Sequence, residues 1–180
     1  RHGTLRSGHA PPGKLYRARR RPSRDLSVLI LLDASLSTDS WVESHRVLDV
    51  ARESMLVLGD ALDAVEIETG LVAFHSNTRR DCRYQVLKAF EDPWPAALPR
   101  LYAVEPTGYT RIGPALRHST TVLSRCASRR RLLLLISDGK PTDYDRYEGR
   151  YGLGDVRQAV REAEQRGITP FALAIDREAR

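Results

Sequence analysis

Leu26-Ser27-Val28-Leu29-Ile30-Leu31-Leu32-Asp33-Ala34-Ser35-Leu36-Ser37 is the stretch on which the fold turns. Leu26–Leu32 is a continuous, branched apolar run of strand length, the pattern of a strand covered on both faces inside a parallel sheet. It stops at Asp33. From Trp41 to Leu62 the apolar residues Val47, Val50, Ala51, Met55, Leu58 and Leu62 recur at helical spacing, with Arg46, Arg52, Glu53 and Asp60 between them. That spacing predicts a long amphipathic helix directly after the first strand.

Outward from this unit, Glu66–His75 and Tyr84–Phe90 read as two strands of a hairpin across a polar turn at Ser76–Asp81. The four prolines between Glu91 and Pro106 mark a connection, with a short helical turn around Trp94–Leu101. Ile112–Ser124 returns to helical period, with Ala115, Leu116, Thr120 and Leu123 on one face. Leu132–Ile136 is a second wholly apolar strand, stopped by Ser137, Asp138 and Gly139. Asp155–Gln165 reads as a helix closed by Gly167, and Thr169–Ile175 as one more strand. The order predicts an α/β fold: a doubly wound, mostly parallel sheet with helices on both faces and one antiparallel edge hairpin. Ligands of such sheets sit at the carboxyl ends of strands, where Asp33, Asp138 and Asp176 fall.

Composition narrows the function classes. A chain of 180 residues with 41% hydrophobic content suits one compact domain. The longest apolar runs, Val28–Leu32 and Leu132–Ile136, fall far short of the ~18 residues that cross a bilayer, so no membrane insertion is expected. The net charge of +6 is unevenly placed. Eight Lys or Arg and no acid lie in residues 1–24, leaving 21 basic against 23 acidic groups, net −2, in residues 25–180. Residues 1–24 therefore read as a basic, flexible arm, and 25–180 as the folded domain. With no initiator Met and no apolar leader, the expectation is a piece of a longer protein. Two cysteines, Cys82 and Cys126, suit reduced thiols and a cytoplasmic setting. There is no Walker A loop and no Gly-x-Gly-x-x-Gly motif, and no Cys and His cluster has zinc spacing.

At the end of the first strand, Asp33, Ser35 and Ser37 can converge as one carboxylate and two hydroxyls, hard oxygen donors suited to Mg²⁺, with Mn²⁺ or Ca²⁺ as alternatives. Hydroxyls neutralise little of a 2+ charge, so a metal held this way still accepts a carboxylate from another molecule. Each element has a plainer reading. Ser35 or Ser37 could cap a helix, Thr110 could be an N-cap, and Asp138-Gly139 could be a turn. The segments Thr107–Gly113 and Ser137–Gly139 bring a third hydroxyl, Thr110, and a second carboxylate, Asp138, to the same sheet edge.

Asp33-x-Ser35-x-Ser37, the Thr110 of a Thr-Arg-Ile-Gly turn and the Asp138 of a Ser-Asp-Gly strand end resemble the metal-ion-dependent adhesion site (MIDAS) of von Willebrand factor type A (VWA) domains, over about residues 25–176. The resemblance implies that Ser35, Ser37 and Thr110 are hydroxyl ligands, and that Asp33 and Asp138 reach the metal directly or through water. No residue departs from that pattern. The run from Gly139 to Gly152, with Arg117-His118, looks like the carboxyl-terminal VWA domain of the NorD and CbbO family. That resemblance implies a non-enzymatic adaptor working with a MoxR-type AAA+ ATPase on a target enzyme, nitric oxide reductase or Rubisco, through an Asp or Glu carboxylate of a partner. It also implies a closing strand and helix after Asp176, so that the sheet's last edge is less protected here. The acids and bases of that run make Asp143, Tyr144, Asp145, Arg146, Tyr147 and Arg150 candidates for partner contact. Two rival readings are a nucleic-acid-binding module using the basic arm, which is not the expected partner class, and a metal-dependent hydrolase using His75 or His118 with Ser35 and Asp138.

Overall fold

The computed structural model describes residues 25–42, 44–138 and 141–175. Strand β1 (Leu26–Asp33) lies at the centre of a five-stranded sheet. On one side it pairs in parallel with β4 (Glu68–Thr78), which in turn pairs antiparallel with the edge strand β5 (Asp81–Lys88). On the other side it pairs in parallel with β6 (Arg130–Ser137), and β6 with β7 (Ile168–Ala174). The spatial order is β5-β4-β1-β6-β7, the mostly parallel sheet with one antiparallel edge that the sequence predicts.

The absence of alternation in β1 has a direct cause, because both of its faces are core. Val28, Ile30 and Leu32 point to one side, against Leu48, Ala51 and Met55 of helix α1 (Val47–Ala64) and Ala97 and Leu101 of helix α2 (Ala97–Tyr102). Leu29 and Leu31 point to the other, against Ile112 and Leu116 of helix α3 (Ile112–Leu123) and Ala159 and Ala163 of helix α4 (Gly149–Gln165). Each face removes apolar side chains from water, worth about 1.5–3 kcal/mol per fully buried large aliphatic.

Several boundaries differ from expectation, β5 among them, which runs from Asp81 to Lys88 where Tyr84–Phe90 was expected. The first helix begins at Val47 instead of Trp41. Ser37, Thr38, Asp39 and Ser40 have side chains that compete for backbone hydrogen bonds, as when the Thr38 hydroxyl donates to the Ser35 carbonyl at 2.7 Å. The chain there makes a 3₁₀ turn (Leu36–Asp39) and a two-residue ladder of β2 (Trp41–Val42) with β3 (His45–Arg46). Strand β4 continues to Thr78, which narrows the hairpin turn to Arg79 and Arg80. Helix α4 starts at Gly149, not Asp155; its glycine-rich first turns are held by the close packing of Gly152 on Pro141 and the edge-on contact of Tyr151 with Tyr147. Trp94 is buried against Gly59, as a loop-packing residue should be, whereas Trp41 is exposed. Among the described residues β7 is a sheet edge, with Phe171 and Leu173 exposed. The basic arm 1–24, Gly139, Lys140 and Asp176 lie outside the described residues.

Candidate functional site

The carboxyl ends of β1 and β6 bring the predicted residues together. Asp33 is fully buried. Its Oδ1 accepts from the Ser35 backbone N–H at 3.0 Å and lies 3.4 Å from the Thr110 hydroxyl, while its Oδ2 accepts from the Ser137 hydroxyl at 2.7 Å. The Ser35 hydroxyl stands 2.6 Å from that of Thr110 and 2.8 Å from that of Ser37, so the three form a row. Asp138 directly follows β6, and its Oδ1 is buried with no hydrogen-bond partner among the described residues. Ser35, Ser37, Thr110 and Asp138 line an open pocket of about 470 Å³ whose remaining wall includes Leu36, Val42, Val47 and Tyr109.

This geometry decides against the capping alternatives. Ser35 occupies the cap position of the 3₁₀ turn, but its side chain makes no capping bond. The cap position of α3 belongs to Arg111, not Thr110, and is likewise without a side-chain bond. The hydroxyls face one another and the pocket. Burial pushes the Asp33 carboxyl up to about 6 despite the opposing hydrogen bonds from Ser137 and Ser35; the neighbouring Asp138 charge acts in the same direction as burial.

Thr110 is placed by backbone pairing. Thr107 N–H donates to the Ala34 carbonyl (2.8 Å) and Leu36 N–H to the Gly108 carbonyl (3.0 Å). Ser76 and Tyr109 exchange two hydrogen bonds, as do Thr110 and Thr142. Gly108 has φ +66°, and a Cβ there would lie 2.4 Å from the Ser76 carbonyl oxygen, so only glycine fits.

The six candidate contact residues divide. Asp143 and Tyr147 are buried and hold the loop: Asp143 accepts from Arg111 Nε (2.9 Å) and the Ser76 hydroxyl (2.8 Å), and the Arg111 guanidinium lies 4.2 Å over the Tyr147 ring. Tyr147 donates its hydroxyl to Asp155 (2.5 Å) and accepts from the Gly113 N–H (3.1 Å). Tyr144, Asp145, Arg146 and Arg150 are exposed. Sequence reasoning took Ser137 only as a strand stop and gave Arg111 and Ser76 no role. A hydroxyl directly before the strand-end Asp, and a lone Arg directly after Thr110, were the available signals.

The Ser35 hydroxyl has Ser37 and Thr110 as its partners, while His118 packs edge-on against the Tyr84 ring. No group of three or more His, Cys, Asp or Glu side chains able to hold a metal occurs among the described residues. A cation in this pocket would therefore rest on hydroxyls as much as on carboxylates, as Mg²⁺, Mn²⁺ or Ca²⁺ can.

A parallel sheet wound on both faces, with Asp33-x-Ser35-x-Ser37, Thr110 and Asp138 at one edge, is the arrangement of a von Willebrand factor type A domain. The model of that family matches residues 27–180, and the chain belongs to it. More particularly, it is similar to Protein NorD of Stutzerimonas stutzeri, with 44% identity over 180 residues covering 99% of this chain and 29% of that protein. It is similar also to Protein NorD of Brucella suis biovar 1, with 41% identity over 176 residues, 97% of this chain and 28% of that protein. The chain thus spans less than a third of the length of these relatives. A solved von Willebrand factor type A structure from Catenulispora acidiphila superposes with a TM-score of 0.59 at 21% identity, covering 83% of this chain and 33% of that one. That likeness speaks to the fold.

Proposed function

We propose that this chain is a metal-dependent, non-enzymatic partner-capture module of a NorD-type activation protein. The observation that carries the reading is the row of Ser37, Ser35 and Thr110 hydroxyls, backed by buried Asp33, in a pocket that Asp138, with its unpartnered Oδ1, also lines. A buried carboxylate oxygen without a donor is costly unless something cationic or polar occupies the space before it. The donor set fits a hard divalent cation. Ser35, Ser37 and Thr110 would hold it, with Asp33 and Asp138 close by; bound Mg²⁺ would supply an electrophile able to take a carboxylate from a partner. Asp33 orients Ser35 through the Ser35 N–H, and Ser137 fixes the Asp33 carboxylate in turn.

The partner chemistry follows from the donor set: an Asp or Glu of another protein. The similarity to NorD proteins supports a MoxR-type AAA+ ATPase as one partner and a target enzyme, nitric oxide reductase or Rubisco, as the other, in the cytoplasm. Force from ATP hydrolysis in the partner would pass through the carboxylate contact. Among the described residues no helix is long and apolar enough to cross a membrane.

The test is to immobilise the chain and present a MoxR-type ATPase and candidate target enzymes in Mg²⁺ and in EDTA, with Asp33→Ala and Ser35→Ala alongside and metal affinity measured by calorimetry. The expected result is capture that needs both the metal and the two side chains, with loss of at least about tenfold in metal affinity in each variant. Capture indifferent to EDTA and to both substitutions would refute the reading.

A further inference from the structure

The loop beside the pocket has acids and bases side by side in sequence, but the fold separates them. Asp143 is buried on Arg111 and Ser76. Asp145 is paired with Arg111 and also accepts the Arg79 N–H of the β4–β5 turn at 3.1 Å. At the same turn Asp81 is held by Asn77 and Arg83. The bases go the other way: Arg79, Arg80, Arg146 and Arg150 are exposed, with Glu148 and the Arg111-paired Asp145 the exposed acids among them. Among these exposed groups four arginines stand against two acids, one of them already paired with Arg111, so the surface is cationic.

That surface is continuous with the pocket. Tyr109 lines the pocket, and its ring lies 6.4 Å from that of Tyr144, which is 77% exposed. Asp145 follows Tyr144 and ties the loop to the Arg79–Arg80 turn. The Arg146 backbone is held in place: its neighbours Asp145 and Tyr147 are both anchored on Arg111, and it adopts φ +63°, a region uncommon for a non-glycine residue. A backbone fixed in advance has less entropy to lose when its side chain pairs with a carboxylate.

We propose that the strip from the pocket across Tyr109 and Tyr144 to Arg79, Arg80 and Arg146 docks an acidic segment of a partner protein. One carboxylate of the segment enters the pocket, a step that rests on the metal reading above, while further acids pair with the arginines and an apolar side chain or stem lies on the tyrosine pair. An acidic protein segment is favoured over nucleic acid because one end of the strip is a carboxylate-accepting pocket with an apolar wall and the middle is a tilted tyrosine pair only partly open on the Tyr109 side.

The test uses the full chain with oligoglutamate, oligoglutamine and oligothymidylate as fluorescent probes, read by anisotropy in Mg²⁺ and in EDTA. Residues 1–24 are common to every variant and cancel in the comparison. Arg79→Glu with Arg146→Glu is expected to weaken oligoglutamate binding by about tenfold or more, equivalent to about 1.4 kcal/mol. Tyr144→Ala should weaken it less, and each variant should keep wild-type Mg²⁺ affinity. All these positions are exposed, so folding is preserved. Wild-type oligoglutamate affinity in the arginine variants would overturn the proposal. So would tighter binding of oligothymidylate that falls with the same substitutions, which would make the strip a nucleic-acid surface. Loss on arginine substitution combined with indifference to EDTA would sustain the acidic-segment surface and remove the metal reading; the opposite pattern would keep the metal and remove the strip.

Discussion

Asp33 carries a cost of burial that its hydrogen bonds from Ser137 and Ser35 offset only in part. Its carboxyl is fully buried and titrates near 6, against 3.8 for the unperturbed group. The sign of the linkage follows. Between about pH 4 and about pH 6 the folded state holds a proton that the unfolded state has released, so metal-free stability falls as pH rises through that window and is flat above it. A shift of about two units corresponds to a penalty on the order of 3 kcal/mol at neutral pH. Urea unfolding in EDTA should therefore show the wild type losing stability, relative to Asp33→Asn, as pH rises from about 4 to about 7. Parallel pH dependence in the two proteins would contradict this. On the proposed metal reading, added Mg²⁺ should reverse the trend, because cation binding would displace the proton and strengthen with pH.

At the scale of elements, helix α1 and the Trp94 turn offer a case where two local rules compete. Gly59 lies within α1, where alanine would be better by about 1 kcal/mol on helix propensity alone. A Cβ there would sit 1.9 Å from the Trp94 ring, whose Nε1 donates to Asp60 on the same helix. Overpacking costs about 1–3 kcal/mol, so Gly59→Ala should lower stability in denaturant titration; a gain would mean that the indole is not seated there. The same contest explains what the sequence could show. β1 and β6 were legible because a strand buried on both faces needs an unbroken apolar run, and α1 and α3 because each buries one stripe. The start of α4 was not: Gly149, Gly152 and Gly154 have poor helix propensity, and that turn packs on Pro141 and Tyr147, contacts that local sequence does not report. At the site, Asp33, Ser35 and Ser37 were legible because their spacing is local. The Ser137–Asp33 and Arg111–Asp143 pairs join positions 104 and 32 residues apart, and nothing in local periodicity reports them.

For the molecule as a whole, Arg111 is a residue through which several elements meet. Its guanidinium binds Asp143 and Asp145 and covers Tyr147; Asp143 reaches Ser76 of β4, and Tyr147 reaches Asp155 of α4. Asp155 continues to Arg117 of α3 at 2.7 Å, and Arg117 to Glu162 of α4 at 2.8 Å. The pair at the centre is the buried one, with Arg111 and Asp143 side chains 6% and 0% exposed, while the Arg83–Asp81 pair on the hairpin is open to water. Breaking the first by Arg111→Gln leaves an uncompensated buried carboxylate, a loss of about 3–5 kcal/mol, whereas Arg83→Gln should cost no more than about 1 kcal/mol. Combining Arg111→Gln with Asp143→Asn replaces the ion pair by neutral hydrogen-bonding groups. The double variant should recover part of the loss, with a coupling of about 0.5–3 kcal/mol in a double-mutant cycle. Salt separates the two pairs further, since screening acts on exposed charges far more than on buried ones. Stability changes in Arg83→Gln should shrink in high salt and those in Arg111→Gln should persist. Additive losses for Arg111→Gln and Asp143→Asn would mean that the loop is held mainly by the Thr110–Thr142 backbone ladder, with the ion pair incidental to it.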